Sequence, residues 1–244
     1  MTTKAPDLRR SFNGQDTTPS SVETAVRFRP RRSIVQSLVV RDVPPSTVSP
    51  LIVEHHYLHS MPPAAIACFG IFLDDDLVGA EVITAGARHA HRLFAGAESG
   101  AVATLARLWL TDELPKNAES RVLGVTVKLL RRASGIRGLV SYADPAAGHL
   151  GTIYQAAGWS YLGQNPPARY LDFGDGTLRH PRSTYSIYGT SSPSLLRAQG
   201  VIVKGVLVNG KHRYCLVIDP TWSWRLTAHD LPYPKPTPGT QADR

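Results

Sequence analysis

Cysteine is scarce in this sequence, whose 244 residues include only Cys68 and Cys215, far apart and outside any CxxC pair. Disulfide frameworks and cysteine-rich zinc sites need more cysteines at characteristic spacings, so neither is expected. No run of about 18 apolar residues is present, which argues against a transmembrane helix. The N-terminal 21 residues also lack the apolar core of a signal peptide. We therefore expect a soluble protein of a reducing cytoplasm, with no membrane partner.

Acidic residues are few relative to basic ones, 19 against 27, which gives a formal net charge of +8. A basic excess favours polyanionic partners such as nucleic acids. Half of the excess lies in residues 1–32, where seven Lys and Arg stand against three Asp and Glu, a net +4. This segment is either a solubilising disordered tail or an arm that adds non-specific affinity for phosphates.

Polar termini flank one candidate domain. Residues 1–33 carry no sustained periodicity and are predicted to form a basic disordered arm. Residues 231–244 are rich in proline and are predicted to form a loose tail. Residues 34–230 remain for the folded domain, and this length is sufficient for one sizeable core.

The candidate domain combines strand and helix patterns. Strands are predicted over 33–43, 100–110, 135–144 and from 160 onward, and helices over 46–60 and 119–134, with a short helix stopped by Gly158. Two hairpins are predicted, one over 65–86 around DDDLVG and one over 205–218 at Asn209-Gly210, a strong two-residue turn signal. The strand–helix–strand pattern over 104–144 predicts a parallel crossover. The domain is therefore predicted to be a mixed α/β sheet.

Several motifs carry a resemblance to known families. The order of LARLWL, RVLGVT, LVSYAD and IYQAAGW resembles the GNAT acyltransferase fold, which implies a mixed, partly split sheet flanked by helices. Over residues 46–218 the chain is more similar to the Mom family of phage DNA-modification proteins, which are GNAT-like. That similarity is carried, in order, by HHYLHSMP, LPKNAESRVLG, SYADPAAGHLGTIYQAAGW and KHRYCLVI.

The Mom resemblance implies a transferase that converts adenine in double-stranded DNA to N6-carbamoylmethyladenine and so shields phage DNA from restriction enzymes. It implies action in the host-cell cytoplasm if the gene is phage-borne. Two alternatives stay open: an acetyl-CoA-dependent N-acetyltransferase acting on a small amine or protein, and a non-catalytic DNA-binding protein. Adenine N6 is paired inside a duplex, so an enzyme acting there should flip the base. Tyr57, Trp159 and Tyr161 are the candidates for stacking on it.

The donor is expected to bind around the RVLGVT motif. GNAT enzymes have an Arg/Gln-x-x-Gly-x-Gly/Ala loop here, whose backbone N–H groups and helix N-terminus hold the pyrophosphate of coenzyme A. Arg121 and Gly124 match this pattern, and Asn117 is assigned to cofactor binding with them. Thr126 replaces the small third residue, which argues against acetyl-CoA and favours an acyl or glycine-type donor, either a small molecule or carrier-bound. The resemblance gives Ser120 a role facing the donor or base. Alternatively, Asn117 or Ser120 caps the helix and Gly124 is a packing glycine.

The predicted catalytic residues are Ser120 together with His56, Tyr57, Asp144 and Tyr154. His56 is expected to accept a proton from the N6 amine, because the pKa of imidazole lies near working pH. Asp144 follows a strand, where open α/β sheets place their sites, and would anchor the base or orient His56, or instead cap the next helix. By resemblance to GNAT enzymes, Tyr154 is the general acid for the leaving group; alternatively it packs on the sheet.

The same side chains offer nitrogen and oxygen donors that suit iron. We therefore also predict an iron site formed by His56, Tyr57, Asp144 and Tyr154. The chemical reason is that the implied product joins a carbon to N6, which plain acyl transfer does not achieve.

Basic side chains on the helix over 119–134 and on the late hairpin are predicted to contact DNA phosphates. These residues are Lys128, Arg131, Arg132, Lys211 and Arg213. The alternative is that they form an ordinary solvated surface.

Overall fold

The computed structural model of the protein describes residues 33–87, 89–133, 135–222 and 226–236. The predicted arm lies outside the described residues except for Ser33, and so do residues 237–244 of the predicted tail. None of the helices within the described ranges has the length and apolar character needed to cross a bilayer.

Ten strands and six helices make up the described fold. The strands are β1 (Val39–Asp42), β2 (Ala65–Leu73), β3 (Asp76–Thr84), β4 (Val102–Leu110), β5 (Gly138–Ala143), β6 (Ser160–Gln164), β7 (Ala168–Asp172), β8 (Leu178–Arg179), β9 (Lys204–Val208) and β10 (His212–Val217). The helices are α1 (Ile34–Ser37), α2 (Pro45–His55), α3 (Ala118–Ala133), α4 (Thr152–Ala156), α5 (Pro181–Tyr188) and α6 (Pro193–Ala198). Short 3-10 turns cover Ala90–Leu93, Pro145–Ala147 and Pro220–Trp222.

A seven-stranded sheet in the order β1-β2-β3-β4-β5-β10-β6 forms the body of the fold. Its neighbouring strands are antiparallel except β4 and β5, which run parallel and are joined through α3. These two strands pair only over residues 102–105 and 138–141, and then they separate. The prediction of a mixed, partly split sheet flanked by helices is therefore confirmed, and so is the parallel crossover.

Helices α2 and α3 cover opposite faces of the large sheet. On β3, Ala80 and Val82 join Ile52 of α2 in one apolar cluster. Glu81, which lies between them in sequence, meets Thr126 of α3 instead. Since successive side chains on a strand point to opposite faces, the two helices lie on the two sides of the sheet.

The predicted first strand is wrong over its initial residues. The Ser33 hydroxyl accepts the N–H of Gln36, and the Gln36 side chain accepts the N–H of Ser33. This capping box starts the short helix α1, and the extended segment begins only at Val39.

The predicted hairpin at Asn209-Gly210 is also wrong, because β9 pairs with β7 whereas β10 pairs with β5 and β6. A type I′ turn needs positive φ at both central residues, and neither Asn209 nor Gly210 has it. Gly210 instead packs on Asn165, where a Cβ atom would come within 1.6 Å of the carbonyl oxygen. The turn therefore carries the chain from one sheet to another.

Residues 165–211 form an inserted unit that we call the insert. It holds a three-stranded sheet in the order β8-β7-β9 together with α5 and α6, around a small core of Leu171, Leu196 and Val203. Its ends are joined because the Asn165 N–H donates to the Lys211 carbonyl at 3.0 Å and the Lys211 N–H donates to Asn165 Oδ1 at 2.7 Å. The insert is thus fastened at its base to the large sheet.

The described part of the Pro-rich tail contacts the body. The N–H of Leu231 donates to the Tyr161 carbonyl at 2.9 Å, and the Tyr233 hydroxyl donates to the Trp159 carbonyl at 2.8 Å. Residues 231–236 therefore lie against the beginning of β6.

Candidate active site

A cavity of about 280 Å³ lies where β4 and β5 separate. Residues 106–110 of β4 and 141–143 of β5 form two of its walls. The end of α2 contributes His55, His56 and Tyr57 from one side of the sheet, while Glu119 of α3 and Tyr154 of α4 come from the other. The gap between the strands thus gives one cavity lined from both faces.

Three of the five predicted catalytic residues line this cavity: His56, Tyr57 and Tyr154. Asp144 lies beside it, where Oδ1 accepts the N–H of Ala146 at 3.0 Å and Oδ2 is 2.8 Å from Lys211 Nζ. Its carboxylate thus caps the turn that follows β5, the alternative role that the sequence left open, and neutralises a lysine.

His56 is buried and its ring is fixed by the following turn. Nδ1 accepts the N–H of Leu58 at 3.1 Å, and the ring stacks on Tyr57 with centroids 4.6 Å apart. Burial, together with the nearby Arg107 and His149, lowers the pKa of His56 to about 4. The ring is therefore neutral at pH 7 with its hydrogen on Nε2, so it acts as a hydrogen-bond donor there. This differs from the proton-accepting role expected from the sequence.

Tyr57 is the aromatic residue at the opening of the cavity. It is 39% exposed, and its ring centroid is 4.6 Å from that of His56 and 4.7 Å from that of His149. The other two stacking candidates are inside the core, since Trp159 is 0% and Tyr161 7% exposed. Of the three, Tyr57 alone is accessible to a base.

Tyr154 lies at the inner end of the cavity. Its phenol oxygen is 2.7 Å from Ser141 Oγ, which is also 2.9 Å from the Leu105 carbonyl oxygen. Serine has a single hydroxyl proton to donate. If that proton goes to the Leu105 carbonyl, Ser141 Oγ accepts the hydrogen bond from the Tyr154 hydroxyl. Burial raises the pKa of Tyr154 well above its usual value. The phenol is therefore protonated at neutral pH, as a general acid must be.

Arg107 is a cavity residue that the sequence analysis missed. Its Nε donates to the Ser60 carbonyl at 3.0 Å and its Nη1 to the Ala106 carbonyl at 2.7 Å. Both acceptors are neutral, so the positive charge remains to act on a bound molecule. The signal was a charged residue in the middle of the apolar strand LARLWL. His149 and Trp109, which stacks on His55 at 4.5 Å, were missed as well.

A second, open groove lies between α3 and α4. It collects the three predicted cofactor residues Asn117, Arg121 and Gly124 and also Ser120, which is therefore absent from the split-sheet cavity. A Cβ atom at Gly124 would meet nothing within 4 Å, so this glycine is not a packing glycine and it leaves the groove open.

Thr126 does not face the groove. It is buried, and its hydroxyl donates to Oε2 of Glu81 on β3. Burial, offset in part by the hydrogen bond from Thr126, raises the pKa of Glu81 to about 7. The steric objection to a phosphate-bearing donor, which rested on the Thr126 side chain, therefore does not apply.

Two of the four predicted iron ligands, Asp144 and His56, already have partners within the protein. Asp144 is paired with Lys211, and Nδ1 of His56 is occupied by a backbone N–H. Among the residues whose placement is described, no three His, Cys, Asp or Glu side chains are grouped to hold a metal ion.

The predicted DNA contacts are spread over two regions. Lys128, Arg131 and Arg132 are exposed on α3. Lys211 is held by Asp144, and Nη2 of Arg213 donates to the Leu162 carbonyl at 3.2 Å. The last two side chains are therefore already engaged by the protein.

Several solved structures that resemble the chain in fold are acetyltransferases of low sequence identity to it. The ribosomal α-N-protein acetyltransferase RimL is 12% identical with a TM-score of 0.42, covering 77% of this chain and 97% of its own. The spermidine N-acetyltransferase from Vibrio cholerae is 9% identical with a TM-score of 0.43, covering 75% of this chain and 94% of its own.

Sequence comparison gives a more specific result. The protein named methylcarbamoylase Mom, from Escherichia phage Mu, is 28% identical over 123 residues, which are 48% of this chain and 46% of that protein. The aligned part thus spans about half of that relative. The profile of the Mom protein family matches residues 37–235. Because this match extends over most of the sequence, the chain belongs to the Mom protein family.

Proposed function

We propose that this protein is a transferase that modifies N6 of adenine in double-stranded DNA to give N6-carbamoylmethyladenine, and that it thereby protects phage DNA from restriction enzymes. The observation that carries the proposal is the cavity in the split sheet, which has Tyr57 at its opening and Tyr154 at its inner end. Membership of the Mom family, one of whose members is named a methylcarbamoylase, supports the same reaction.

The opening of the cavity suits an extrahelical base. Flipping a base costs about a few kcal/mol, and stacking on an aromatic side chain returns about 1–3 kcal/mol. Tyr57 offers such a ring, held by the imidazoles of His56 and His149. The Nε2 hydrogen of His56 and the guanidinium of Arg107 are donors for the acceptor nitrogens of adenine.

The inner end of the cavity suits departure of the donor's leaving group. A bond forms between N6 and a carbon of the donor as the bond between that carbon and the leaving group breaks, and the electron pair of the broken bond goes to the leaving group. Tyr154 donates a proton to that group, and the Ser141 hydroxyl then donates a hydrogen bond to the resulting phenolate. The proton lost from N6 replaces the one that Tyr154 gives up. The donor itself, an acyl or glycine-type compound, is placed in the groove beside Arg121 and Gly124.

A second function is favoured by one observation, the orientation of Thr126 away from the groove. Because the Thr126 side chain does not obstruct the groove beside Arg121 and Gly124, where the phosphates of coenzyme A would lie, acetyl-CoA-dependent N-acetylation of a small amine or protein is compatible with the same cavity. Titration calorimetry with coenzyme A separates the two functions, because absence of binding removes the acetyltransferase.

The principal experiment expresses the protein in bacteria and measures the nucleosides of the cellular DNA by mass spectrometry. The proposal predicts deoxyadenosine heavier by one carbamoylmethyl group. Unmodified deoxyadenosine in cells that contain folded, well-expressed protein would refute it. A non-catalytic DNA-binding protein would leave the nucleosides unchanged, with or without Tyr154→Phe.

A further inference from the structure

The net charge of this protein is confined to two segments. The insert has six Lys and Arg against two Asp, a net +4, and residues 1–32 carry the other +4 of the total of +8. All remaining residues together therefore sum to zero. The large sheet and its helices are neutral as a whole, and the insert is the positively charged part of the described fold.

The base of the insert lies beside the opening of the cavity. Lys211 Nζ is 2.8 Å from Asp144 Oδ2. Burial lowers the pKa of Lys211, but the hydrogen bond to Asp144 and the nearby Tyr57 and Tyr170 raise it more, so the pKa is raised overall. Lys211 also precedes His212, which pairs with the cavity residue Ala143, so the base of the insert adjoins the end of β5 that lines the cavity.

The part of the insert around Tyr170 carries two basic side chains, Arg182 and Lys204. The ring of Tyr170 meets His180 edge-on at 5.3 Å, and Nδ1 of His180 accepts the N–H of Arg182 at 3.1 Å. Lys204 on β9 lies directly opposite Asp172, two residues from Tyr170, and therefore shares its face. The side chains of Arg182 and Lys204 are exposed.

We infer that this face of the insert, formed by Tyr170, His180, Arg182 and Lys204, binds the phosphate backbone of the DNA that flanks the base in the cavity. The inference rests on the proposed function, since it names the surface that holds the substrate. Phosphate contacts supply register and most non-specific affinity, and they need cations beside the base-binding opening.

The exposed basic side chains of α3, Lys128, Arg131 and Arg132, are less well placed to contact DNA bound at the cavity. Arg131 and Arg132 are 12 and 13 residues from Glu119 at the cavity, which is about 18–20 Å along the helix at about 1.5 Å per residue. Helix α3 also covers the face of the sheet opposite α2, the helix that leads into Tyr57. DNA seated over Tyr57 therefore meets the insert first.

The test measures duplex binding by fluorescence anisotropy of a labelled DNA over a range of salt concentrations, with the full-length protein. The variant Arg182→Ala/Lys204→Ala removes two charges from the insert, and Arg131→Ala/Arg132→Ala removes two from α3 as a matched control. All four side chains are exposed, so both variants should melt at the wild-type temperature. We expect the slope of log K against log salt to become shallower by about 1.8 in the insert variant, since each B-DNA phosphate contact contributes about 0.9. Affinity should fall alike for unrelated DNA sequences, and the control should change less.

Two results would overturn the inference while the wild-type protein binds and modifies DNA. One is an unchanged salt slope in the insert variant, and the other is an equal change in both variants, which would indicate a general effect of charge. If the wild-type protein neither binds duplex DNA at low salt nor modifies it, the proposed function itself fails.

Discussion

Replacing Tyr154 with phenylalanine removes one oxygen atom from the inner end of the cavity and tests its role as a general acid. Ser141 keeps the Leu105 carbonyl as a partner at 2.9 Å, so no buried hydroxyl is left unsatisfied. The loss of stability should therefore be that of one hydrogen bond, about 0.5–1.5 kcal/mol. For a domain of this size that lowers the melting temperature by only about 1–6 °C.

The effect on the reaction should be much larger. A positioned general acid contributes about 100- to 10,000-fold to a rate, so the fraction of modified adenine formed per unit time should fall by that factor. The assay follows modified deoxyadenosine by mass spectrometry over time, beside a thermal melt of the same preparation. Ser141→Ala is the matched control, because it removes the hydrogen-bond partner and keeps the phenol, so it should lose less activity. Wild-type rates in a folded Tyr154→Phe protein would refute the assignment.

Three other perturbations have defined outcomes. Glu81→Gln should be more stable than wild type by about 3 kcal/mol at pH 8 and equal to it near pH 4. The pKa of Glu81 is raised to about 7 in the folded state, so ionisation of the buried carboxyl destabilises the wild-type fold as pH rises. Urea unfolding at both pH values measures the difference in stability, and no gain at pH 8 would contradict the prediction. Tyr57→Ala should weaken binding of the flipped base about 10- to 100-fold in KM for DNA, whereas Tyr57→Phe should keep it, since the ring provides the stacking; equal losses in both variants would contradict that reading. Gly210→Ala should be strongly destabilised, because its Cβ atom would come within 1.6 Å of the Asn165 carbonyl oxygen. Gly124→Ala has open space at its Cβ atom, so it should gain about 0.5–1 kcal/mol of stability and lose donor affinity. Melting curves compare the two variants.

Local patterns predicted the elements whose structure depends on nearby residues. The hairpin over 65–86, the strand β4, the helix α3 and the short helix α4 follow from apolar periodicity and turn residues, and they appear where expected. Asn209-Gly210 was misread because its conformation depends on a contact with Asn165, 45 positions before Gly210. A turn signal in the sequence carries no information about such a contact.

In the candidate site, too, local sequence identified some residues, while others depend on contacts between distant parts of the chain. His56, Tyr57 and Tyr154 were identified through motifs, and the split between β4 and β5 brings them to one cavity. The pairing of Asp144 with Lys211 joins residues 67 positions apart and could not be predicted from local sequence. Arg107 was visible as a charge within an apolar strand, but only the separation of the two strands gives it a cavity to line.

A crystal structure of the Tyr154→Phe protein bound to an adenine-containing duplex is the measurement that tests the central claim most directly. It should show one adenine out of the helix, its ring against Tyr57 and its N6 atom between β4 and β5, with the backbone phosphates along the insert. A duplex bound elsewhere, with every base stacked and the cavity empty, would contradict the account.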